Sequence, residues 1–167
     1  MNLKLTGIIM LALSGVLSAV YIKANGEKKI VALTEFIKNL DYIYNCISLY
    51  KMTVYEILEG LSAQADSVLK DFYLNIYMLS DKEGIENACH KILDNSSLFN
   101  DRSKEIICDF FSSFGTVPYE TQLSEIEGTS LLLKGELESL KINSEKNLKA
   151  KSSLALGGAL MLAIILM

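Results

Sequence analysis

The longest uncharged run in the chain, Leu5 to Ile22, holds 18 residues between Lys4 and Lys23. At 1.5 Å per residue it makes a helix of roughly 27 Å, close to the ~30 Å hydrocarbon core of a bilayer. A signal peptide is the competing reading, and Ser18-Ala19-Val20 offers a cleavage site. Its apolar stretch should be only about 7–15 residues long, so the length favours a retained anchor. A second apolar block, Leu154 to Met167, closes the sequence with 14 residues. That is short for a span. However, nothing polar follows it, Lys149 and Lys151 can snorkel at its near end, and a bilayer thins at modest cost. The residues between the two blocks are the ones that must fold in water.

Composition fits this division. The chain has 167 residues, enough for one domain and too few for a multi-span transporter. Half is hydrophobic while 22% is charged, an ordinary charge content that requires the apolar residues to be concentrated. A disordered or collagen-like chain is excluded, and a plain soluble enzyme is disfavoured. The net charge of −4 argues against a nucleic-acid binder, because phosphate contacts need clustered Lys and Arg. Lys23, Lys28 and Lys29 follow the first block, and Lys141, Lys146, Lys149 and Lys151 precede the second. The positive-inside rule then places the intervening region in the cytoplasm of a cell-membrane protein.

The expected architecture is all-α: a six-helix cytosolic bundle over 25–153, between a transmembrane anchor at 3–24 and a short C-terminal transmembrane segment at 154–167. From Ile30, the residues Leu33, Ile37, Leu40, Tyr44 and Ile47 recur at alternating spacings of 3 and 4, one face of a helix. Thr53 with Glu56 predicts a capping box for the second helix, with Met52 and Ile57 as its staple. Asp66 is read as the N-cap of the third helix, and Ser80 with Glu83 as a second capping box opening the fourth. Asn100 or Asp101 caps the fifth, which Gly115 stops. The sixth begins near Pro118, and Leu123, Ile126, Ser130, Leu133, Leu137 and Leu140 form its inner stripe. No sequence signal breaks it before the terminal block.

Catalytic chemistry has no foothold in these residues. There is no phosphate-binding loop and no nucleophile elbow, and no cofactor is implied. Cys46, Cys89 and Cys108 are widely spaced and read as small core residues in a reducing compartment. Glu86 and His90 are four apart on one helix, but a zinc site needs three or four ligands. The aromatic group Tyr42, Tyr44, Tyr50, Tyr55, Phe72, Tyr73 and Tyr77 reads as the core and rim of the bundle. Charge is more informative. Residues 1–38 carry net +3, residues 39–133 carry six basic and fifteen acidic side chains for net −9, and residues 134–167 carry net +2. Basic ends suit an anionic leaflet. The acidic middle is either a solvated face or a docking site for a basic partner.

The stretch from Phe110 to Leu123, in which a helix ends at Phe114-Gly115 and resumes before Gln122-Leu123, resembles stage III sporulation protein AB of endospore-forming bacteria. So does the close of the chain, Lys151-Ser152-Ser153-Leu154, then Gly157-Gly158 and Ile164-Ile165-Leu166. Thr116, Val117, Pro118 and Tyr119 depart from the family's usual turn. The resemblance implies a component of the complex linking mother cell and forespore, similar to the cytoplasmic domain of the inner-membrane platform protein of type II secretion and type IV pilus systems. Its implied partners are a cytosolic secretion-type ATPase, other membrane proteins of the complex and membrane lipid, with no nucleic acid; self-association is compatible with it. The expected docking face is the distal acidic surface, where Glu120, Glu125 and Glu127 lie on the early turns of the sixth helix. The alternatives are a helical scaffold without an ATPase partner, and a membrane-bound sensor or enzyme using Glu86, Cys89 and His90.

Overall fold

The structure is a computed structural model; it describes the backbone of residues 2–63 and 68–166 and the side chains of residues 24–63 and 68–146. Six helices occupy it in chain order: α1 (Asn2–Ser48), α2 (Val54–Ser62), α3 (Lys70–Glu83), α4 (Ile85–Asp94), α5 (Asp101–Ser113) and α6 (Tyr119–Leu166). No strand occurs among the described residues. Contacts divide the chain into two compact units, one of residues 1–28 with 139–167 and the other of residues 29–138. Within the first, a Cβ added to Gly26 would stand 4.0 Å from Ser144 Oγ. Among the described residues no helix is long and apolar enough to cross a membrane. The segment 3–24, apart from Ala24, and the segment 154–167 lie outside the residues whose side chains are described.

In the unit of residues 29–138 the core forms around Phe36 of α1. Its ring meets Phe72 and Tyr73 of α3 at centroid distances of 6.3 Å, Phe99 at 6.0 Å and Phe111 of α5 at 6.4 Å. Leu33, Ile37, Leu40, Ile43 and Ile47 are buried on the same face of α1, the face the 3–4 spacing predicts. Each such side chain contributes roughly 1.5–3 kcal/mol by leaving water. From there α2 packs on α3, α3 on α4, and α4 on α5. Helix α6 contributes Ile126 and Leu133 to the core. One polar pair sits inside it: Asn39 Nδ2 donates to Tyr73 Oη at 3.2 Å. Burial pushes the Tyr73 phenol far above its ordinary range, so it stays a neutral acceptor.

The helix starts are made locally. At α2 both halves of the Thr53–Glu56 capping box are present, with Thr53 N–H donating to Glu56 Oε2 at 2.7 Å. At α5 the cap is Asn100, whose Oδ1 accepts from Ser103 N–H at 2.9 Å. Pro118 precedes α6, and its carbonyl accepts the Gln122 N–H. Two expected boundaries fall elsewhere. The third helix begins at Lys70, after Leu69, which makes no side-chain cap bond; Asp66 lies outside the described residues. The Ser80–Glu83 box does not form, because α3 continues through both residues. Ser80 is buried and its hydroxyl donates to the Tyr77 carbonyl. The break comes at Gly84, whose φ of +80° and ψ of 159° suit only glycine.

Candidate functional site

Glu120, Glu125 and Glu127 all lie on α6, yet they do not share one face. Glu120 and Glu127 are exposed and seven residues apart, which returns them to the same side of the helix. Glu125 is half-buried and roughly 140° around the helix from Glu120. The outward strip that does run along α6 joins Glu120 and Glu127 to Leu131 and Glu138, all within roughly 40°. Lys134 stands at its edge. Leu131 is 73% exposed, the highest among the exposed large apolar side chains of the described residues. Glu127, Leu131 and Lys134 also line a shallow groove of about 490 Å³ against Asp41 and Tyr44 of α1. The strip thus presents an exposed leucine between carboxylates.

A second concavity, about 630 Å³, forms where the end of α1, the start of α2 and the α5–α6 turn meet. Its lining is mostly apolar, with Ile47, Met52, Val54, Ile85, Phe114 and Val117 among it. Lys51 is the one charged residue in that lining. Lys51 holds a left-handed backbone, φ 53°, at the position after α1 where glycine is usual. Met52 N–H reaches back to the Cys46 carbonyl at 3.1 Å, which closes the turn around it. Its ammonium lies 3.7 Å from the centroid of the Tyr119 ring. Tyr119 in turn donates its hydroxyl to the Ser48 carbonyl at 3.3 Å, satisfying one of the open acceptors at the end of α1. Gln122 also lines the groove. It is 8% exposed, and its Nε2 is buried with no hydrogen-bond partner. On the opposite wall a Cβ on Gly115, whose φ is +82°, would meet Val54 Cγ2 at 2.5 Å.

The sequence pointed to the acidic turns of α6 but missed Leu131, Lys51 and the buried Gln122 amide as parts of a surface. A signal for Leu131 existed, since it falls off the inner stripe of α6 where an apolar residue has no core to enter. Glu86 and His90 are exposed on α4, while Cys89 faces the core and donates its hydrogen bond to Cys108 of α5. The three therefore do not converge. Among the described residues no group of three or more His, Cys, Asp or Glu side chains could hold a metal ion.

The model of the stage III sporulation protein AB family matches residues 4–167. The chain belongs to that family. Membership gives it a role in sporulation, in a family not known for enzymes. No curated protein and no solved structure matches the chain.

Proposed function

We propose that this member of the stage III sporulation protein AB family is a membrane-anchored platform of the mother cell–forespore complex, whose helical bundle docks a cytosolic secretion-type ATPase. The reading puts the bundle in the mother-cell cytoplasm, with the apolar segments 3–24 and 154–167 in the membrane facing the forespore. The observation that carries it is the outward strip of α6, where the 73%-exposed Leu131 lies among Glu120, Glu127 and Glu138. A desolvated leucine supplies affinity, and flanking carboxylates supply orientation and on-rate toward a basic partner surface. The net −9 of residues 39–133 extends the same attraction over the bundle. Lysines beside both apolar segments suit the anionic inner leaflet.

The test is binding of the full chain to the co-expressed ATPase of the complex, for wild type and for a variant with Glu120, Glu125 and Glu127 all changed to Lys. Binding that falls steeply on charge reversal, and weakens with salt in the wild type, is the expected result. A pull-down that recovers no ATPase, or recovers it equally from both proteins, rejects the docking face and leaves a scaffold without that partner.

A further inference from the structure

The groove around Lys51 and the outward strip of α6 are opposite in chemistry. One is an apolar concavity with an ammonium at its rim; the other is a protruding leucine among carboxylates. We infer that the groove receives the Glu127–Leu131 face of α6 from a second copy of this chain, giving head-to-tail association.

Two observations on the groove point to an occupant. Lys51 is held in a left-handed conformation that costs roughly 1–2 kcal/mol for a side chain bearing a Cβ. That places an ammonium, pinned over Tyr119, at the edge of an apolar groove in a bundle that is otherwise strongly acidic. The groove surface itself is open and apolar, and needs an apolar side chain to dry it.

Charge complementarity selects the occupant. Another acidic bundle is repelled over most of this surface and attracted at Lys51. The α6 strip offers what the groove lacks: Leu131 to fill it, and Glu127 one helical turn earlier to meet Lys51. Because strip and groove are different patches, a joined pair keeps one groove and one strip free, and the contact is heterologous. Such contacts close into rings or continue as filaments, according to the rotation they impose.

The contact does not rest on the ATPase reading, and a charge swap tests it on the full chain in mild detergent, with molar mass measured by sedimentation. Wild type should associate with rising concentration. K51E and E127K should each weaken association by about tenfold or more, since each sets like charges together. The double variant K51E/E127K restores opposite charges and should regain association. An equimolar mixture of the two single variants sets opposite charges together at both alternating contacts and should regain the association that each lacks alone. A wild type that stays monomeric, with the groove serving another protein or none, overturns the inference. So does indifference to either reversal, or a double variant that fails to recover. Circular dichroism of each variant establishes that it is folded. The groove takes the same α6 strip that the ATPase reading uses, so the two contacts compete for it; K51E lies off that strip, and its loss of association with ATPase binding retained or raised separates them.

Discussion

Asn100 ties the start of α5 to the middle of α6: its Oδ1 accepts from Ser103 N–H while its Nδ2 donates to Glu136 Oε1 at 2.7 Å. The amide accepts through its oxygen and donates through its nitrogen, which an ionised carboxylate of that length cannot do. Asn100→Ala should lose the cap and the cross-helix bond together, about 1–2 kcal/mol in denaturant unfolding. Asn100→Asp keeps the cap acceptor but sets a second carboxylate against Glu136. The two carboxylates repel, so the variant should be less stable than wild type at neutral pH. An Asp variant as stable as wild type at neutral pH would mean that the Glu136 contact contributes nothing.

Inside the core, Tyr73→Phe removes the acceptor for Asn39 and leaves that amide buried. The expected loss is about 1–3 kcal/mol. Asn39→Leu with Tyr73→Phe should cost less than the sum of the two single changes, because the second change removes the orphaned group. A double-mutant cycle with no coupling would place the two side chains out of contact.

The Gly115 turn lies against Val54 of α2, where an added Cβ has no room. Gly115→Ala should destabilise by more than the roughly 1–2 kcal/mol of a left-handed residue, since its Cβ also meets Val54 Cγ2 at 2.5 Å. Val54→Ala in that background should return the steric part and not the backbone part. A rescue that is absent or complete would show that only one of the two effects operates.

Local signals mark the starts of α2, α5 and α6 and leave the contact surfaces hidden, for separable reasons. Thr53 with Glu56 and Asn100 with Ser103 interact within one turn, so their spacing alone carries the information. The same spacing misleads at Ser80 and Glu83, because the motif works only if the chain before it is not already helical. Gly84, one residue later, is the true break. The six-helix count and the inner stripes of α1 and α6 follow from periodicity, with Ile126 and Leu133 buried as expected. The groove draws on residues 47–55, 85 and 114–122, which only the tertiary packing brings together. Glu120, Glu125 and Glu127 are close in sequence, yet helical rotation separates Glu125 from the other two.

Acid should loosen α2 at its first turn. Hydrogen bonds from the Thr53 backbone N–H and hydroxyl hold the Glu56 carboxyl below the usual carboxylate range. A depressed folded pKa stabilises above the unfolded value and is lost as pH falls through the folded one. Protection of the Thr53 amide, taken against its intrinsic exchange rate at each pH, should therefore fall at the acid end of the carboxylate range. In Glu56→Gln that change in protection should disappear. Protection that stays constant with pH in the wild type would show that the box does not depend on charge.

The three cysteines of the bundle, Cys46, Cys89 and Cys108, are 3%, 0% and 8% exposed. Cys89 donates a hydrogen bond to Cys108, which holds the Cys108 thiol below its ordinary range and pushes that of Cys89 up. A thiol reagent can reach them only after α4 and α5 part or the end of α1 lifts. Labelling under native conditions should thus be slow, with Cys89 the slowest, and its rate should track global stability across the variants above. Rapid stoichiometric labelling of the native chain would contradict this packing. The wild-type sequence therefore carries its own clock for opening, with one thiol on each of three helices, readable without any added probe site.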